Sequence, residues 1–274
     1  MNRFEWYDLG EGVRAFSTTR HGGCSEGEYA SFNINGYCGD LPQHVESNRK
    51  ALCDELGIDG DHLVMPHQVH GVEIRHIAPE LLTLPQQVRR MIMEGVDGLM
   101  TDVSGVCVGV STADCIPVLL YDAEHHACCA VHAGWRGTLA KIIEKAIHTM
   151  ALTYHSHPQA LKAVIGPGIS VDHFEVGDEV YEQFAAANFD MDAIAKRMPA
   201  MNPSRLEGVT SGYVPEKWHI DLWACNRMQM ESMGVSAGNI RVVGKCTYSH
   251  NDDFFSARRQ GVESGRIFTG ILLD

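Results

Sequence analysis

The stretch GVCVGVSTADCIPVLLYDAEHHACCAVHAGWRGT (105–138) decides how this chain folds. Val106, Val108 and Val110 alternate with Cys107 and Gly109, whereas IPVLLYD (116–122) and HACCAVHAG (126–134) are almost continuously apolar. Alternation and short unbroken apolar runs are both strand patterns, the second marking strands buried on two faces, so three buried strands are expected here. A polar turn holding His125 and His126 separates the last two. From Thr138 the period lengthens: Leu139, Ile142, Ile143, Ala146, Ile147, Met150 and Tyr154 share one stripe, which predicts a helix with Lys141, Glu144 and Lys145 turned outward.

The same reading extends outward from this block. LKAVIG (161–166) is a strand stopped by Gly166-Pro167-Gly168, and GDEVYEQFAAAN (177–188) is a helix with acids in its first turn. WHID (218–221) is a further strand, Asp221 caps a helix over 222–233 that Gly234 stops, and IRVVGKC (240–246) returns to strand before the chain closes on RIFTGILL. Residues 198–217, rich in Pro, Gly, Ser and Asn, read as a surface loop able to act as a lid. Strands and long helices follow no regular βαβ alternation, which predicts an α+β arrangement of mixed sheets rather than a doubly wound fold. No repeat and no linker separates two cores, so residues 1–274 are taken as one domain.

Composition narrows the function. Apolar residues make up 45% of the chain, enough for a large core, and a net charge of −13 argues against a nucleic-acid or anionic-membrane binder. The opening MNRFEWYDLGEGVRAF is too acidic for a signal peptide and no run reaches the roughly eighteen apolar residues of a membrane span. A cytoplasmic protein acting on a small molecule is expected. Nine cysteines without short repeated spacing read as reduced thiols, and Cys128 and Cys129 as buried residues facing opposite ways on one strand. Fifteen histidines in such a chain point towards metal binding.

Cys115 precedes Pro117 at a strand start, and His132 ends the run CCAV just before Gly134-Trp135-Arg136-Gly137. A soft thiolate and an imidazole at the edge of a sheet suit zinc, and one more ligand would leave a tetrahedral position for water. His70 in HQVHG (67–71) is the candidate for that third ligand. Spacing alone is weak support compared with an HExxH motif. His125-His126 and the HSH at 155–157 suggest copper ligands, but a polar turn and a helix end favour solvated side chains. Trp135 reads as packing.

An ordered series of segments goes further. STTRHGG (17–23), FNINGYCGD (32–40), Asn48-Arg49, HQVHG (67–71), VDGLMT (96–101), STADCIPVLL (111–120), AVHAGWRGT (130–138), IGPGIS (165–170), FEVGDEV (174–180), KCT (245–247) and FSARRQGVESGR (255–266) span nearly the whole chain. In this series the sequence resembles the multicopper polyphenol oxidase, or laccase-domain, family, whose members are also described as zinc-dependent purine nucleoside phosphorylases and as a peptidoglycan editing factor. VDGLMT stands where ADALVT is more usual, Phe174 replaces a common Tyr, and Ala257 interrupts FSYRR. These departures bear on contacts near Asp97, Phe174 and Arg258 and remove no ligand.

The resemblance implies mixed β-sheets packed as a sandwich and flanked by helices, similar to the deamidase-toxin-like cysteine hydrolase fold. It implies His70, Cys115 and His132 as zinc ligands, with copper the alternative ion. It also implies phosphorolysis of adenosine, inosine and methylthioadenosine, together with adenosine deamination by zinc-bound water. Phosphate calls for guanidinium forks, so Arg49, Arg136, Arg258 and Arg259 are the candidate anchors, with Gln68 as a further substrate contact. Cys115, His132, Asp114 and Arg136 are the candidate catalytic residues. Neighbouring side chains on a strand face opposite ways, so a structural role is the alternative for Asp114 beside a ligand. Rival readings are a peptidoglycan editing amidase, a copper polyphenol oxidase, and a metal-free hydrolase using Cys115 with His132. Monomer and homodimer both remain open.

Overall fold

The computed structural model describes residues 2–201 and 214–274. One sheet has the order β1 (Phe4–Tyr7), β2 (Val13–Thr18), β14 (Ile267–Leu273), β6 (Cys107–Thr112), β3 (Leu63–Val64). The second runs β13 (Ile240–Val242), β9 (Lys162–Ile165), β7 (Ile116–Asp122), β8 (Ala127–Ala133), β5 (Gly98–Thr101), β4 (Ile74–His76). A smaller sheet joins β10 (Glu175–Val176), β12 (Glu216–Ile220) and β11 (Ala195–Pro199). The pairs β3–β6, β4–β5 and β9–β13 are parallel and the rest antiparallel, so the α+β expectation of mixed sheets holds.

Side-chain alternation explains why the two large sheets stack. On β7, Leu119 and Tyr121 point to one face and Val118 and Leu120 to the other. The first pair packs with Val106, Val108 and Val110 around β6 and with Ile271 and Leu273 of β14, which makes the interior of a sandwich. The second pair packs with Ile143, Ile147 and Met150 of the helix Ile142–Tyr154 and with Cys225 and Met230 of the helix Leu222–Ser232. Cys128 falls in the first cluster and Cys129 in the second, so the two adjacent thiols do face opposite ways. Outside the five-stranded sheet, Phe16 and Phe268 meet Leu52 and Leu56 of the helix Pro42–Leu56. The expected sandwich flanked by helices is thus present as four layers.

The β7–β8 hairpin pairs Ile116 with Ala133 and Asp122 with Ala127. Asp122 fixes its turn by accepting the Glu124 and His125 N–H groups and the His125 ring nitrogen. The helix expected from Thr138 onward is corrected: Trp135–Leu139 and Ile142–Tyr154 are separate, because Lys141 takes a left-handed conformation at φ 59°. The buried stripe of the second piece is as read. Asp221 caps Leu222–Ser232 through the Ala224 N–H, and Gly234 follows at φ 94°. IRVVGKC is strand only over Ile240–Val242. The loop expected over 198–217 begins and ends in strand, in β11 and β12, and its part 202–213 lies outside the described residues. Among the described residues, no helix is long and apolar enough to cross a membrane.

Candidate metal centre

The chain passes from the five-stranded to the six-stranded sheet between β3 and β4 and again between β6 and β7. His70 lies in the first crossing and Cys115 in the second, while His132 comes from β8, whose register sets it opposite Pro117. One ligand atom from each of the three lies within 4.8 Å of the others. The His70 and His132 rings stand edge to face at 4.8 Å between centroids. Gly134 makes the approach possible, since a Cβ there would fall 2.8 Å from His70 Cδ2 and 3.1 Å from Cys115 Sγ.

Asp97, just before β5, organises this centre. His132 Nδ1 donates to its Oδ1 at 2.7 Å, which leaves Nε2 of that ring as the donor atom for a metal. The same carboxylate accepts the main-chain N–H groups of His70 at 3.0 Å, Gly71 at 2.7 Å and Val69 at 3.3 Å. His70 sits at φ 61°, and these bonds hold the turn that aims it. Burial opposes ionisation of Asp97, yet the His132 ring and the N–H groups outweigh it and keep its pKa below the usual carboxylate value. Burial would likewise raise the Cys115 thiol, but the neighbouring His132 and His70 bring it down to about 6. Burial would lower His132, and Cys115 with Asp97 instead raise it to about 9. A site that stabilises a proton so strongly between sulfur and carboxylate favours positive charge at its centre. Two imidazoles and a thiolate of this kind fit a metal ion.

The centre opens into a cavity of about 510 Å³. Of the residues expected from sequence, His70, Cys115, His132, Asp114, Gln68 and Arg258 line it. Asp114, at φ 89°, accepts from Thr247 Oγ1 at 2.7 Å and from the Arg258 N–H at 2.6 Å. Both oxygens are engaged, which supports the structural side of the Asp114 alternative. Gln68 clamps the Ser111 main chain, donating to its carbonyl and accepting its N–H, each at 2.8 Å. Arg258 donates to the His173 and Glu175 carbonyls.

Arg49, Arg136 and Arg259 are not among the cavity-lining residues. Arg49 donates to the Ile34 carbonyl, Arg136 is exposed and lies over the Trp135 ring at 4.3 Å, and Arg259 donates to the Tyr248 carbonyl. Sequence reasoning gave no role to Arg266, Tyr37 or His67, all of which line the cavity. FNINGYCGD and HQVHG had carried the resemblance as motifs, and that was the only signal for Tyr37 and His67.

Fold and site together define a mixed-sheet sandwich with a three-donor His-Cys-His centre lining a cavity. The chain belongs to the family described as multi-copper polyphenol oxidoreductase laccase, which it matches over residues 14–274. It is 43% identical over 261 residues to a protein of Bacteroides thetaiotaomicron named purine nucleoside phosphorylase, covering 95% of this chain and 92% of that one. It is 39% identical to adenosine deaminase RL5 from an unknown prokaryotic organism, covering 95% and 94%. The crystal structure of a Neisseria meningitidis protein of the DUF152 family superposes with a TM-score of 0.81 at 31% identity, each chain covered in full.

Proposed function

We propose that this chain is a purine nucleoside phosphorylase that works at a zinc centre held by His70, Cys115 and His132 and also deaminates adenosine. The observation that carries the reading is the convergence of those three donors, oriented by Asp97, in the wall of a cavity of nucleoside size. Two relatives bear the names of the two activities. Zinc is preferred over copper because a weak axial methionine is usual in a His₂Cys copper site, and no methionine lines this cavity among the described residues. When bound, zinc supplies Lewis-acid polarisation and lowers the pKa of a ligated water.

The protein's own groups then have separable tasks. Asp97 keeps the His132 proton on Nδ1, so that Nε2 stays available at the centre. Among the described residues, Arg258 and Arg266 donate to main-chain carbonyls rather than to carboxylates, which leaves their charge for an anion such as phosphate in the cavity. Asp114 holds the Arg258 main chain in place. Gln68 fixes the cavity wall at Ser111.

The deciding experiment measures metal content of protein purified without added metal, for wild type and Cys115→Ala, and then follows adenosine with and without phosphate. Near-stoichiometric zinc that the variant lacks, with adenine formed only when phosphate is present and inosine appearing from deamination, is the expected result. A second reading draws on the Cys115–His132–Asp97 arrangement, which is also that of a cysteine hydrolase. Metal-free protein that stays active in chelator and loses activity on alkylation of Cys115 would establish that reading instead.

A further inference from the structure

Three of the exposed large apolar side chains gather at the mouth of the cavity. Tyr37 (53% exposed) and Val262 line it, and Val69 lies between the lining residues Gln68 and His70. Exposed apolar side chains that gather in one place, unlike singly scattered ones, mark ligand-binding grooves. Tyr37 is moreover not loose. Its ring stacks on that of His67 with centroids 3.9 Å apart and planes inclined by 18°. His67 is in turn fixed by Glu94, whose two carboxylate oxygens lie 2.7 and 2.8 Å from Nδ1, and the main chains of the two residues are bridged. On the other side the Tyr37 N–H donates to Asn35 Oδ1 at 2.7 Å, and the Arg49 guanidinium anchors the segment at the Ile34 carbonyl. The stack is therefore held by four separate stretches of chain, of which those of Tyr37 and His67 line the cavity, and one face of Tyr37 is left uncovered by it.

We infer that the free face of Tyr37 is the subsite for the purine base, with the His67–Glu94 pair acting as its rigid backing. This rests on the nucleoside reading of the cavity. Stacking between a base and an aromatic side chain is tolerant of the base's edge substituents, because every base presents a π-face. A platform already held in place loses little freedom when the base arrives. Such a subsite accounts for a site that takes adenosine and inosine alike, since the two differ at the edge of the ring and not on its face. Tyr37 and His67 are positioning residues on this assignment: they hold the base and take no part in bond breaking.

The test is ligand-observed proton NMR on zinc-loaded protein, titrating adenosine, free adenine, ribose 5-phosphate and phenol in turn. Ring stacking moves the purine H2 and H8 resonances upfield on binding. The shift is expected with wild type and Tyr37→Phe and is expected to vanish with Tyr37→Ala, while ribose 5-phosphate gives the same response with all three. In turnover, Tyr37→Ala should raise the KM for adenosine by about tenfold or more, the size of one lost stacking contact, and change the KM for phosphate far less. Glu94→Gln should give a smaller rise in the same direction. An upfield shift that persists in Tyr37→Ala, or is absent in wild type, would overturn the assignment, as would a phenol that shifts as strongly and binds as tightly as adenine. Intact purine shifts without any nucleoside turnover would sink the proposed reaction and leave the base subsite standing.

Discussion

Asp97 accepts from four donors with two oxygens, three of them main-chain N–H groups of the turn that carries His70 and the fourth the His132 ring. Replacement by asparagine keeps the shape and puts an NH₂ where one oxygen accepted, so the two donors that share that oxygen lose their partner. Asp97→Asn is expected to fold with a loss of about 1–3 kcal/mol and to bind zinc 10- to 100-fold more weakly, as seen by chelator competition and urea unfolding. Gly134→Ala tests the packing of the ligands themselves. Its Cβ would meet both His70 and Cys115 within about 3 Å, so metal affinity should fall sharply while the melting temperature of the metal-free protein changes little. The three candidate ligands were legible in sequence through the family resemblance, since the strand-end placement of Cys115 and His132 is weak support by itself. Asp97 as organiser was not, since its partners come from positions 69–71 and 132 and meet it only in the folded chain.

Local chemistry was legible where hydrophobic period and cap agreed. Asp221 was recognised as an N-cap, and its carboxylate does accept the Ala224 N–H at 2.9 Å. Asp221→Ala should therefore cost about 1 kcal/mol, read as a lowered midpoint in urea with an unchanged slope; an unchanged midpoint would show that tertiary packing alone fixes the helix end. The break at Lys141 escaped the same reasoning, because Leu139 and Ile142 stay on the apolar side whether or not the helix is continuous. A left-handed lysine carries no signature in the period. Lys141→Gly removes the steric penalty of φ 59° at an exposed position, against the greater freedom glycine gains in the unfolded chain. The small sheet shows a different limit: the WHID reading missed that β12 starts at Glu216, since its partner β11 is polar and half exposed and gives no alternation to follow.

At the scale of the molecule, the centre sits where the chain crosses between its two large sheets. His70 is carried by the β3–β4 crossing, Cys115 by the β6–β7 crossing, and His132 by the strand beside the second. The order of elements predicted mixed sheets and the family resemblance implied the sandwich, but neither predicted this coincidence, because which strands share a sheet is set by long-range pairing such as that of β14 between β2 and β6. A metal bound by all three ligands would tie the two crossings together and bind the native state alone, since the unfolded chain holds the ligands 45 and 17 residues apart. Zinc at a thousandfold excess over its dissociation constant would add about 4 kcal/mol to stability. For a chain of this size that corresponds to roughly 8–16 °C in melting temperature. Zinc-loaded wild type should thus melt well above the same protein in chelator, and Cys115→Ala should melt at one temperature in both conditions. Equal melting of wild type with zinc and with chelator would mean that the three donors do not hold a metal in the folded protein, and would leave Cys115 to act as a thiolate.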